Sequence, residues 1–152
     1  MTPSPFLFVY GTLLSGLRDN LLRRVRARFI GTGTIEGKLY NLGPYPGAKL
    51  SRNSTDRVRG EVHRLPNPEQ SLGVLDEYEG ISTIAKLGSE FSRNIVRVTL
   101  DDGRALKAWV YLYNGPVDEA RLIWGGDYRN RDGASQLEEH LNPRIKFLTE
   151  SK

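Results

Sequence analysis

The stretch RNIVRVTLDDGRALKAWVYLY, residues 93–113, decides the fold class. Its first arm, 93–100, carries Ile95, Val96 and Val98, and its second, 105–113, carries Trp109, Val110 and Tyr111. These are the side chains of a half-buried sheet. Asp101-Asp102-Gly103-Arg104 between them is a strong turn signal, so the two arms are expected to fold back as a hairpin.

Working outward from the hairpin, Phe6-Leu7-Phe8-Val9-Tyr10 reads as a strand that stops at Gly11. Residues 34–42 and 57–65 read as further strands, with Val58 and Val62 on one face of the second, and a short strand is expected around Ala48-Lys49-Leu50. A basic amphipathic helix is expected over 16–28, closed by a Gly31-Thr32-Gly33 turn. Gly43-Pro44-Tyr45-Pro46-Gly47 is a loop that its prolines stiffen and its glycines let turn. A capped helix over 68–79 and a polar connector over 81–90 lead into the hairpin. From about residue 116 the pattern is less regular, with a short helix expected between Ala134 and Leu141 before Pro143 interrupts it. Five or six strands with two or three helices, without strict βαβ alternation, predict an α+β (mixed α/β) fold. Its sheet is small, mixed, largely antiparallel and curled toward a barrel. A chain of 152 residues with no repeat or linker is expected to form one domain, 1–152.

Composition removes several function classes. The absence of cysteine excludes disulfides, thiolate metal sites and a Cys nucleophile. His63 and His140 fit no metal-ligand spacing, and no nucleophile-elbow pattern accompanies either. The apolar stretch 6–10 has no basic flank and is too short for a signal-peptide core or a membrane span, so a cytoplasmic protein with no membrane partner is expected. A net charge of +4 raises the question of nucleic acid. The densest basic run is Arg23-Arg24-Val25-Arg26-Ala27-Arg28. On a helical wheel Leu21, Leu22, Val25 and Phe29 share one face, and Arg23, Arg24 and Arg26 the other. That describes an amphipathic helix with a solvated face, and no RNA-binding aromatic signature interleaves with it, so no nucleic-acid partner is expected.

Glu79 is the first candidate for chemistry. Asn67 suits an N-cap, Pro68 the first helical position, Gln70 a capping box and Gly80 the left-handed end of the helix. At about 100° per residue Glu79 then projects between Leu72 and Leu75, on the core-facing stripe, while Glu77 points to water. An inward carboxylate in the negative last turn of a helix should have a raised pKa, which suits a general base. The same position also fits a glutamate that snorkels or pairs with an arginine in a structural network.

Tyr10-Gly11-Thr12-Leu13 is the second candidate. A strand that runs into glycine ahead of a helix can present successive backbone N–H groups to a carboxylate or a developing oxyanion. On its own it reads first as a plain strand-to-helix turn whose glycine only relieves strain. Together, Tyr10-Gly11-Thr12-Leu13 and Leu75-Asp76-Glu77-Tyr78-Glu79-Gly80 resemble the γ-glutamylcyclotransferase-like, or AIG2-like, family. Phe29-Ile30-Gly31, Ile35-Glu36-Gly37-Lys38-Leu39-Tyr40, Leu42-Gly43-Pro44-Tyr45-Pro46 and Val58-Arg59-Gly60-Glu61-Val62 match in the family's order. The resemblance covers about residues 6–115, leaving 116–152 as an extension, and Gly126-Asp127-Tyr128-Arg129 is similar to small bacterial members. Phe91 departs from it, standing where the family often has Tyr before Arg93.

The resemblance implies that a γ-glutamyl compound is cyclised to 5-oxoproline with release of an amine, without metal or organic cofactor. It implies Glu79 as the acid/base and the backbone of Gly11, Thr12 and Leu13 as the substrate-binding turn. Tyr10 and Tyr111 are candidate cavity walls, and core packing accounts for them equally well. Thr12 looks like the branch acting on γ-glutamylamines. A non-catalytic binder of a small amino-acid-like ligand on the same fold is the competing reading.

Overall fold

In the computed structural model the described residues are 4–11, 21–43, 45–53, 55–78 and 91–130. Six strands alternate irregularly with two helices: β1 (Phe6–Val9), α1 (Leu21–Arg24), β2 (Arg28–Asn41), β3 (Pro46–Leu50), β4 (Arg57–Arg64), α2 (Pro68–Tyr78), β5 (Phe91–Leu100) and β6 (Ala105–Tyr113). Three single 3₁₀ turns follow, at Glu119–Arg121, Trp124–Gly126 and Tyr128–Asn130.

The sheet runs β3-β2-β4-β1-β6-β5, and β5 pairs again with β2. Five strands therefore close into a barrel, with β3 added at the outer end of β2. All pairings are antiparallel except β1 with β6, which meet in parallel at Leu7 and Trp109. The 93–113 hairpin forms as predicted. Gly103 takes φ +95°, and the Leu100 N–H donates to the Arg104 carbonyl at 2.7 Å. The same turn helps close the barrel. The Asp101 N–H donates to the Thr32 carbonyl at 2.9 Å, and the Asp101 carboxylate accepts from the Thr32 hydroxyl and the Arg59 guanidinium.

One expectation fails at the start of β2. The strand begins at Arg28, so the predicted 16–28 helix is replaced over its described part by the four residues of α1, and Gly31-Thr32-Gly33 is strand, not turn. The physical reason is closure. Gly33 faces both Gly60 of β4 and Leu100 of β5, and a Cβ there would lie 2.5 Å from the Thr99 carbonyl oxygen. Gly33 acts here as a point of close backbone approach inside a bulged strand, not as a breaker.

Phe8, Ile35, Leu39, Val58, Val62, Val98, Ala108 and Val110 are buried together in the core. Leu72 and Leu75 of α2 are buried in the same cluster, as the helical wheel predicts. The Asn67 Nδ2–H donates to Gln70 Oε1 at 2.9 Å, so the two side chains bond each other in place of the expected capping box to the backbone. The stretch read as irregular is held on the barrel through residue 130. Ile123 N–H donates to the Leu39 carbonyl at 2.8 Å. Tyr40 Oη donates to Glu119 Oε2 at 2.9 Å, and burial, then Glu119, push the Tyr40 phenol up to about 12. No described helix is long and apolar enough to cross a membrane.

Candidate active site

Tyr10 leaves the end of β1 and is buried. Its hydroxyl donates to the Tyr111 carbonyl oxygen on β6 and accepts from the Ala48 N–H on β3 at 3.2 Å. One phenol thus ties the first strand to the closing hairpin and to the added strand. Polar atoms this deep must be bonded, and here the partners are backbone groups that a barrel cannot easily move. Tyr111 is buried beside it. The structure brings Tyr10 and Tyr111 together, and both belong to the core cluster.

Gly11 is buried at the next position, and its lack of a side chain has a specific use. A Cβ there would stand 2.7 Å from Cγ of Pro46 and 3.0 Å from its Cδ. Pro46, expected in the 43–47 loop, is the first residue of β3, and at the end of the loop between β2 and β3 it presses directly on the backbone that follows β1. That loop is organised locally: the Leu42 N–H donates to the Tyr45 carbonyl at 3.0 Å, the Gly43 N–H donates to Asn41 Oδ1 at 2.8 Å, and Gly43 takes φ +107°. Behind it the rings of Tyr45, Phe91 and Tyr113 pack in series, with centroids 5.8 and 5.5 Å apart. Phe91 is buried in that stack. Thr12, Leu13 and Glu79 lie outside the described residues, as do the side chains of Asp76 and Glu77.

A buried charge cluster beside this turn was missed by sequence reasoning. Glu61 of β4 is opposite Val9 of β1, and Glu61 and His63 are only 5% and 4% exposed. A buried carboxylate is costly unless its oxygens are bonded. Oε1 of Glu61 lies 3.0 Å from His63 Nε2, and Oε2 accepts from Arg129 Nη2 at 2.9 Å. A nitrogen facing a carboxylate carries the proton, so Nε2 is the protonated one; Nδ1 has no hydrogen-bond partner among the described residues. Phe29 packs edge-on against the imidazole, with centroids 5.6 Å apart. This cluster accounts for Gly126-Asp127-Tyr128-Arg129. Gly126 takes φ +67°, and a Cβ there would fall 1.8 Å from the Arg57 carbonyl oxygen, so glycine lets the segment lie flat on β4 and deliver Arg129. The available signal was the spacing of two: Glu61 and His63 share one face of a strand. Among the described residues no group of three or more His, Asp or Glu is arranged to hold a metal ion.

Comparison with known proteins gives the same frame. Residues 7–130 match the family described as gamma-glutamyl cyclotransferase, AIG2-like. The match runs past the sequence-based limit near 115 and takes in the Arg129 segment. The gamma-glutamylcyclotransferase family protein YtfP of Escherichia coli K12 is 35% identical over 127 residues, which cover 83% of this chain and 97% of that one. Among solved structures, an AIG2-like protein from Mus musculus superposes with a TM-score of 0.64 at 24% identity, over 84% of this chain and 89% of that one. YkqA from Bacillus subtilis superposes with a TM-score of 0.66 at 23% identity over 88% of this chain, and this chain spans 43% of that longer one. By the extent of the family match and the likeness to YtfP, the chain belongs to the gamma-glutamyl cyclotransferase, AIG2-like family.

Proposed function

We propose that this protein is a cyclotransferase that converts a γ-glutamyl compound, of the γ-glutamylamine type, to 5-oxoproline and a free amine. The observation that carries the reading is the family match over residues 7–130. The reaction is an acyl transfer within one molecule. The substrate's α-amine nitrogen attacks its own γ-carbonyl carbon, a C–N bond forms to close the five-membered ring, and the bond to the leaving amine breaks. No covalent enzyme intermediate is needed, in keeping with a chain that has no cysteine. The nucleophile is tethered to its target, so holding it in a reactive geometry supplies much of the acceleration.

What the protein must add is proton transfer. At neutral pH the α-amine is mostly ammonium and must shed two protons, one before it attacks and one as the lactam forms; Glu79 takes each in turn and passes it to the departing nitrogen, which leaves as an ammonium. Support for this placement comes from Leu72 and Leu75, which are buried on the helical stripe to which spacings of seven and four assign Glu79 in the sequence. A carboxylate on that stripe gains basicity from its apolar surroundings. Gly11, Thr12 and Leu13 offer backbone N–H groups to the substrate's α-carboxylate or its carbonyl oxygen. The close packing of Pro46 on Gly11 supports a rigid turn there. Tyr10 and Tyr111 form the wall behind it.

Incubation of the protein with a panel of γ-glutamylamines and γ-glutamyl amino acids tests the proposal. The expected result is equimolar 5-oxoproline and amine from at least one of them, with γ-glutamylamines preferred. Saturable binding with no product from any member of the panel would instead assign the protein as a small-ligand binder.

A further inference from the structure

No acidic residue occurs between Asp19 and Glu36, while Arg23, Arg24, Arg26 and Arg28 fall in that interval. The expectation of a single amphipathic helix put all four on one element, with Arg23, Arg24 and Arg26 on its solvated face. The structure divides them among three settings, and two of the settings carry a local cost. Arg23 and Arg24 end α1. Arg26 takes φ +59°, the left-handed position of a helix stop: its N–H donates to the Arg23 carbonyl at 2.9 Å and the Ala27 N–H to the Leu22 carbonyl at 2.8 Å. Glycine is the residue usually found there, because a side chain is strained in that conformation. Arg28 begins β2 directly opposite Arg64 of β4, and like charges directly opposite in a sheet repel.

All five guanidiniums are on exposed residues, and none has an acidic partner among the described residues. Arg57, Arg59, Arg104 and Arg129 each reach a carboxylate. Phe29, next to Arg28, is 53% exposed. Strain, repulsion and an exposed aromatic ring are thus gathered at one end of the β2/β4 ladder.

We propose that this arginine surface, Arg23, Arg24, Arg26, Arg28 and Arg64, binds the phosphodiester backbone of single-stranded nucleic acid. Every cation in it is a guanidinium, the group whose donor fork matches phosphate. Phe29, on the opposite face of β2 from Arg28 and edge-on to His63, leaves half of its surface exposed at the same end of the ladder, where an unpaired base can stack. A membrane surface fits less well: α1 has only four residues, and Leu22 within it and Val25 just after it are partly buried against the core.

The test is fluorescence anisotropy with a labelled 20-nucleotide oligo(U). Five phosphate contacts predict a slope of log affinity against log salt of about −3.5, so raising salt from about 50 to about 200 mM should weaken binding about 100-fold. Changing Arg23, Arg24 and Arg28 together to Gln should bring the slope to about −1.4. Arg26→Gly separates a binding role from a structural one. It should raise Tm by about 2–4 °C by relieving the strained position, yet weaken oligo(U) binding severalfold. Absence of binding at low salt, a slope unchanged in the triple variant, or a Tm gain in Arg26→Gly with full oligo(U) affinity would overturn the proposal. So would equal, arginine-dependent affinity for polyglutamate or phosphatidylserine vesicles.

Discussion

Replacing Gly33 by alanine tests how the barrel closes. A Cβ at that position would sit 2.5 Å from the Thr99 carbonyl oxygen, 3.0 Å from Leu100 Cα and 3.1 Å from the Thr99 carbonyl carbon. All three are backbone atoms, so no side chain can rotate away. Ordinary contact begins at 3.4 Å, and β5 would have to retreat from β2 by roughly 0.9 Å. The pairing at risk is short, Gly33 with Leu100 and Thr34 with Thr99, but it is the one that closes the ring. Overpacking of this kind costs about 1–3 kcal/mol. For a chain of this size each kcal/mol lowers Tm by about 2–4 °C, giving an expected fall of about 2–12 °C in thermal unfolding followed by circular dichroism. Gly73→Ala is the matched control. Gly73 lies inside α2 with nothing within 4 Å of its would-be Cβ, so the same change there should stabilise by up to about 1 kcal/mol. A Gly33→Ala protein as stable as wild type would refute the closure argument.

Two further changes probe the charged contacts. Arg59, and after it Thr32, hold the Asp101 carboxyl below the usual carboxylate range. A lowered folded-state pKa means the stabilisation is present above the unfolded value and is lost as pH falls through the folded one. Asp101→Asn should therefore be less stable than wild type near pH 7 by under about 1 kcal/mol, since the pair is half-exposed, and denaturant midpoints should converge in acid. Arg129→Met removes a charged partner from a buried carboxylate and should cost about 1–3 kcal/mol by urea denaturation. A loss under about 0.5 kcal/mol would show that the remaining bonds of Glu61 suffice.

Much of the fold was legible because it is written locally. The hairpin at 93–113 and the capped helix at 68–78 each follow from side-chain period and turn chemistry within about twenty residues. Leu72 and Leu75 were placed correctly for that reason. What was missed depends on contacts between distant segments. Gly33 looks like a breaker until β5 is brought against it, and a basic run that begins as helix becomes strand where β4 offers a ladder. Residues 116–130 have no period at all, yet hydrogen bonds to Leu39 and Tyr40 and a charge pair with Glu61 hold them. At the site the end of β1 just before Gly11 was legible in the sequence. The reason for glycine was not, because Pro46 presses on it from 35 positions away.

The account turns on the acid that follows α2. 5-Oxoproline release should be measured side by side for wild type, Glu77→Gln and Glu79→Gln, with folding of each verified by circular dichroism. Loss of general acid/base catalysis predicts a fall of about 10²–10⁴-fold for Glu79→Gln and a near-normal rate for Glu77→Gln. A folded Glu79→Gln protein that turns over at the wild-type rate would contradict it.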